Sequence, residues 1–214
     1  MLYAFFQKTI WPIGRALFWF FLHLRVEGGE NFRNPRQQIL VICNHRNLID
    51  SYLASGSLPF RYFLLSRTFR YPALKKYTNS PFYCFIRLFG SYPIEIGVGY
   101  EKALVYTERL IKKGQNIFIF PEGKVAKDGH PLPAKPGVAY LAKKYNLPIL
   151  PIASEGTRGL NPVRFFLRKN RVHVQIGPKF YYQDVVHEND DVKVAAQKIM
   201  DRVNQMLYHN KLKI

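Results

Sequence analysis

A histidine and an aspartate stand five positions apart in Asn44-His45-Arg46-Asn47-Leu48-Ile49-Asp50. A carboxylate bonded to one imidazole nitrogen fixes the tautomer and leaves the other nitrogen as a base near neutral pH. On one continuous helix, residues five apart point ~140° away from each other. The pair can therefore meet only if His45 lies in a loop and Asp50 in the turn or helix beyond it. Acyl transfer by His and Asp usually needs a serine nucleophile, and the chain has no G-x-S-x-G elbow. The nucleophile would then be the hydroxyl of an acceptor substrate. Taken alone, the spacing fits a surface histidine beside a helix-capping aspartate at least as well.

Two further stretches carry groups suited to a site. In Phe120-Pro121-Glu122-Gly123, the proline cannot extend a ladder and the glycine permits an unusual backbone angle. That is how a strand ends and sets a carboxylate at the carboxyl edge of a sheet, where α/β proteins bind ligands; a plain turn is the simpler alternative. Lys124, Lys127 and Lys135 follow, broken only by Asp128. From Arg61 to Arg87 there are Arg61, Arg67, Arg70, Lys75, Lys76 and Arg87 with no acid, interleaved with eight aromatics. A solvated basic face does not need the aromatics, whereas a phosphate or membrane surface uses both.

These groups need elements to hold them. Ile39–Cys43 reads as a buried strand, with a helix beginning near Asp50. Tyr62–Leu65 reads as a second strand, Pro72–Phe89 as a basic aromatic helix, and Tyr92–Ile96 as a short strand. Helix is predicted over Glu101–Lys113, with Ala103, Thr107, Leu110 and Ile111 on one face and Gly114 as its stop. Strands are predicted at Asn116–Phe120, Pro148–Ile152 and Arg171–Ile176, and helices at Gly137–Tyr145 and from Asp190 to about Tyr208. Strands alternating with helices predict an α/β fold, a single domain with a largely parallel or mixed sheet flanked by helices.

Composition narrows the partners. Over 214 residues, 32 Lys and Arg against 14 Asp and Glu leave a net charge of +18. Such a balance points to phosphates, nucleic acid or an anionic membrane surface. Residues 1–24 contain no acid and hold both tryptophans with six other aromatics. The longest unbroken apolar run there, Ala16–Leu22, is too short for the ~20 residues of a spanning helix. The segment predicts a Pro12-interrupted amphipathic helix in the membrane interface, with Lys8 and Arg15 reaching to headgroups. The alternative is an aromatic helix packed on the core. Cys43 and Cys84 form no C-x-x-C, and the six histidines show no zinc-ligand spacing, so no metal site is expected.

Asn44-His45-x4-Asp50, the Gly90–Ile96 strand, Phe120-Pro-Glu-Gly123 and Leu147-Pro-Ile-Leu-Pro-Ile152 occur in that order. The set resembles the four motifs of the glycerophospholipid acyltransferase superfamily. The likeness runs from about Leu24, where Arg-Val-Glu-Gly-Gly-Glu-Asn-Phe looks like the family's first strand, to about Pro178. The resemblance implies that His45 is the general base and Asp50 its orienting partner. It also implies an acyl thioester donor, acyl-CoA or acyl carrier protein, and no bound cofactor or metal. Glu122 and Gly123 would help to hold a glycerol-phosphate acceptor, with Asn44, Glu95 and Pro121 of the same motifs beside it. The chain departs from the family at three places. Asn47 replaces a usual Ser or Thr, Ile96 replaces an Arg that grips the acceptor phosphate, and Lys124-Val125 replaces Thr-Arg. Lys124, Arg67 and Arg87 are the candidate replacements for the missing cations.

The expected protein is an acyltransferase of phospholipid biosynthesis acting on a lysophospholipid such as 1-acylglycerol-3-phosphate. Residues 1–24 would associate with the membrane and 25–214 would form the acyltransferase domain. It would work at the cytoplasmic face of a membrane, as a peripheral or monotopic protein, with lipid rather than nucleic acid as partner. The rivals are an acyltransferase for another lyso-lipid or an aminolipid, and a catalytically silent lipid- or nucleic-acid-binding module.

Overall fold

The computed structural model describes residues 2–75, 81–95, 97–126 and 130–211. Seven strands form one sheet: β1 (Arg25–Glu27), β2 (Leu40–Cys43), β3 (Phe69–Leu74), β4 (Ser91–Ile94), β5 (Asn116–Ile119), β6 (Ile149–Glu155) and β7 (His173–Ile176). Their spatial order is β1-β7-β6-β2-β5-β3-β4. Only β6 and β7 pair antiparallel; every other neighbouring pair is parallel. The sheet is thus mixed and mostly parallel, in the α/β class expected.

Parallel strands need both faces covered, and the side-chain alternation of the central strands supplies two apolar faces. Leu40 and Ile42 of β2 and Ile117 of β5 pack under α5 (Tyr100–Lys112), α6 (Gly137–Tyr145) and α8 (Val192–Lys211). Val41, Cys43 and Phe118 face the other way, toward α1 (Leu2–Leu22), α2 (Asp50–Gly56) and α3 (Phe60–Leu65). The chain leaves β2 through α2 and α3 toward β3 on one side. It leaves β5 through α6 toward β6 on the other. The adjacent carboxyl ends of β2 and β5 therefore form a topological switch point, the place where such sheets leave a crevice.

Three expectations about elements are corrected. Tyr62–Leu65 is helical within α3, because the carbonyl of Pro59 accepts the Tyr62 and Phe63 amides and only Phe63 of the segment is fully buried. The helix expected over Pro72–Phe89 is two elements, strand β3 and helix α4 (Pro81–Leu88). β3 tolerates Pro72 because β5 pairs with it only at Phe69 and Arg70, so the missing amide has no partner to lose. Residues 76–80 between them lie outside the described residues. Third, α1 runs through Pro12 as one helix, held on both sides of the proline. Gln7 donates to the carbonyls of Phe69 and Phe89, each at 2.6 Å. Arg15 donates to the carbonyls of Gly56, Ser57 and Leu58 at 3.1–3.2 Å, closing the C-terminus of α2. Arg15 is therefore a helix cap, and it also lies on the wall of a large cavity that His45 lines. Among the described residues no helix is long and apolar enough to cross a membrane.

Candidate active site

β2 ends at Cys43 and delivers Asn44 and His45 to the carboxyl edge of the sheet. Asn44 is fully buried, and its side-chain amide donates to the Ser154 carbonyl and accepts the Ser154 amide, both at 2.8 Å. It continues the β2–β6 ladder through a side chain. The chain turn that follows is set by Asp50, the first residue of α2, itself fully buried. Its Oδ2 accepts the backbone amides of Arg46 and Asn47 at 2.6 Å each and faces His45 Nδ1 at 3.4 Å. The His45 ring stacks on Phe120, with ring centres 3.9 Å apart and planes within 13°. The imidazole is thus held from one face and from Nδ1.

β5 ends beside β2, with Ile119 opposite Ile42. Phe120 to Gly123 then turn, with the Gly123 amide donating to the Phe120 carbonyl at 3.0 Å and a φ of 70° at the glycine. The same turn holds Glu122, which is 1% exposed. Its Oε1 accepts the His45 amide and its Oε2 the Leu132 amide, both at 3.0 Å. The Gly123 amide is thereby spent within the turn.

These groups line a cavity of about 1830 Å³, larger than the ~300–1,000 Å³ of an ordinary small-molecule site. His45, Pro121, Glu122, Gly123 and Lys124 line it together, with the exposed Glu95, which pairs with Lys75 at 3.3 Å, also on its wall. The cavity continues between α1, α2 and strands β3 and β4, past Phe18, Tyr52, Tyr71 and Ile86. Burial pushes the Tyr52 hydroxyl up to about 12, against the hydrogen bond it makes with Ser91. The Tyr71 hydroxyl is likewise raised by burial and bonds Ser55.

The expected cations do not all arrive. Arg67 sits at the amino edge of the sheet, before β3, where it donates to the carbonyls of Arg36 and Gly114. Arg87 is an exposed residue of α4 outside the cavity. Neither reaches His45, and Asn44 is sealed beneath it. Ile96 lies outside the described residues, as do Lys76, Lys127 and Asp128. The cavity wall instead includes Arg46, His130 and Lys135, none of which was singled out from the sequence as a binding residue. Arg46 Nη1 is buried and has no hydrogen-bond partner among the described residues. Its place directly after His45 was the available signal. Asn47, where the family usually has Ser or Thr, donates to the carbonyls of Thr157 and Leu160 at 3.2 and 3.1 Å.

A histidine facing a buried carboxylate, at the switch point of a mostly parallel sheet and on the wall of a large, mainly apolar cavity, places the chain among α/β proteins with a site at the carboxyl edge of the sheet. A model of the Acyltransferase family matches residues 23–155, more than half of the chain, and the chain belongs to that family. It is similar to the 1-acyl-sn-glycerol-3-phosphate acyltransferase of Cocos nucifera, with 31% identity over 77% of this chain and 50% of that protein. The protein of the same name from Streptococcus pneumoniae is 23% identical over 83% of this chain and 63% of its own length. The chain thus spans about half to two thirds of the length of these relatives. Among solved structures, the 1-acyl-sn-glycerophosphate acyltransferase PlsC of Thermotoga maritima aligns with a TM-score of 0.69. The alignment covers 94% of this chain and 78% of that one at 24% identity, which shows a shared fold.

Proposed function

We propose that the protein transfers a fatty acyl group from acyl-CoA or acyl carrier protein to the free hydroxyl of 1-acylglycerol-3-phosphate. The observation that carries this reading is the His45–Asp50 pair at the cavity, with Nδ1 turned to the carboxylate. Nε2 takes the proton of the acceptor hydroxyl as its oxygen attacks the thioester carbonyl carbon. The resulting tetrahedral oxyanion collapses, the C–O ester bond remains, the C–S bond breaks, and the departing thiolate recovers the proton from the imidazolium. Asp50 stabilises that imidazolium and holds its tautomer. With the Gly123 amide engaged, the cationic side chains of Arg46 and Lys124 are the candidate donors to the oxyanion and to the acceptor phosphate. Lys135 adds positive charge on the same wall. Glu122 acts through the backbone of His45 and is a positioning residue. The apolar limb between α1, α2 and β3 suits the acyl chains.

In this reading residues 1–24 associate with the membrane, 25–214 carry the catalysis, and the enzyme works as a peripheral or monotopic protein at the cytoplasmic face, where acyl thioesters are supplied. A second reading, an acceptor without a terminal phosphate, is favoured by Ile96 at the position of the family's phosphate-gripping arginine. The deciding experiment is an acyl-transfer assay with both donor types against lysophosphatidic acid, other lysophospholipids and an aminolipid. Turnover confined to lysophosphatidic acid supports the first reading. Turnover only on the other acceptors replaces it with the second, and no turnover on any of them removes both.

A further inference from the structure

Between β6 and β7 the chain makes a short helix, α7 (Pro162–Phe166), that buries none of its residues fully. Val163 and Phe166 are 66% and 67% exposed, and Leu167 beyond it 57%. This helix is joined to the end of α1. Phe21 stacks on Phe165 at 4.8 Å and meets Phe166 edge-on at 5.5 Å. Arg168 lies over the Phe20 ring at 4.4 Å and donates to the Phe20 carbonyl. On α1 itself Phe5, Ile13, Leu17 and Phe20 are exposed on one face, with Trp19 (69% exposed) at its border. Single exposed apolar residues are ordinary, but a continuous patch of this kind marks a partner site.

The charge around the patch selects the partner. Arg158, Arg164, Arg168, Lys169 and Arg171 surround α7, and no acid occurs from Gly156 to Gln183. All five of these cations are exposed. Apolar and aromatic side chains fringed by Arg and Lys are the pattern of an element lying in a headgroup layer that contains anionic lipid. The exposed Leu17 and Leu48, together with Leu160 of the loop before α7, line the cavity. The cavity mouth therefore opens on the same side of the molecule. We propose that α7 is a second lipid-docking element, continuous with α1, which seats the cavity mouth on an anionic bilayer. The proposal rests on the reading above that the substrates are membrane lipids. It adds that the bilayer is gripped by the β6–β7 connection as well as by the N-terminal helix. That connection is hydrogen-bonded to the catalytic loop through Asn47.

The test is flotation of the full chain with phosphatidylcholine vesicles, with and without about a third of phosphatidylglycerol. Two variants are compared with the wild type, V163S/F166S/L167S and R158E/K169E, all at exposed positions, with thermal melting as a control on folding. The wild type should bind the anionic vesicles better than the neutral ones. Each variant should lose about tenfold or more in binding to the anionic vesicles at unchanged melting temperature. Transfer to a short-chain, soluble acceptor should stay within about twofold, so a failure of α7 to bind lipid is distinguishable from a failure of the acyltransferase reading. Binding of both variants equal to the wild type, or equal binding of the wild type to both vesicle types, overturns the proposal. So does a wild-type dimer that the triple variant converts to monomer without loss of vesicle binding, which would make the patch a contact between copies of this chain.

Discussion

Glu122 accepts the backbone amide of His45 at 3.0 Å while its other oxygen accepts the amide of Leu132 at the same distance. A carboxylate from the end of β5 thus fixes the backbone of His45 at the end of β2 and ties to it Leu132, which lines the cavity. Both amides donate to a buried anion, the stronger kind of hydrogen bond, each contributing ~1.5–3 kcal/mol. Glu122→Gln turns one of the two acceptors into an amide group facing an N–H donor. The variant should lose about 2–4 kcal/mol and melt roughly 5–10 °C lower, with turnover falling more than acceptor binding. An unchanged melting curve would refute the bracing role.

His45→Ala should abolish transfer, by ~10²–10⁴-fold for loss of the general base, and leave the melting temperature nearly unchanged, since Asp50 keeps both its backbone donors. Asp50→Asn differs in kind. Its single remaining side-chain oxygen must replace an anion that two amides at 2.6 Å and an imidazole share. We expect it to lower activity and stability together, measured by turnover and melting on the same preparation. A His45→Ala protein with near-normal turnover would remove the mechanism.

Burial, and then the charges of Asp50 and Glu122, push the Cys43 thiol well above its ordinary value. The unfolded chain releases this proton near pH ~8.5 while the folded one keeps it, so the contribution is full below that pH and is lost as pH rises beyond it. Stability should therefore fall above about pH 8.5, and fall less steeply in Cys43→Ala. Native protein should also resist alkylation at Cys43 at pH 8, read by peptide mass spectrometry, and become labelled in denaturant.

The strands that build the site were legible because β2 and β5 are short runs of large apolar residues, buried on both faces, and the helix at Gly137–Tyr145 because its apolar spacing and its bounding proline agree. The sheet neighbours farther out were harder. Phe69–Leu74 carries an arginine and a proline and becomes a strand only through β4 and part of β5. Tyr62–Leu65 is four residues long, too short for period to separate strand from helix. Spacing and loop geometry allow His45 and Asp50 to meet but fit a surface histidine beside a helix cap at least as well, so it is the order of the four motifs that singles the pair out. The structural tasks of Asn44 and Glu122, which bind backbone and not solvent, had no sequence signal beyond their places in the motifs. The choice of Arg67 illustrates a further limit. It is close in sequence to a motif strand, but sequence distance does not say which end of a strand a residue adjoins, and Arg67 adjoins the amino edge.

That difference gives a contrast between two arginines. A phosphomonoester acceptor needs at least one cationic contact, for which the forked guanidinium is well suited. Arg67 donates to two backbone carbonyls at the opposite edge of the sheet from His45, so Arg67→Ala should leave the acceptor KM unchanged and show only a small loss in melting temperature. Arg46 is on the cavity wall beside the base, and its Nη1 is buried with no hydrogen-bond partner among the described residues. A buried guanidinium nitrogen is costly unless something accepts from it, and an acceptor phosphate or the reaction oxyanion would do so. Losing a charge-assisted hydrogen bond costs ~1.5–3 kcal/mol, so Arg46→Ala should raise the KM for lysophosphatidic acid about tenfold or more if the contact is to the phosphate. If the contact is to the oxyanion, the loss should fall on kcat. Arg46→Lys should recover part of either loss, because it restores the charge without the fork. The donor KM should move little in all three variants. If Arg46→Ala leaves both acceptor KM and kcat unchanged, Arg46 has no part in the reaction, and the phosphate charge must be met by Lys124 or Lys135 instead.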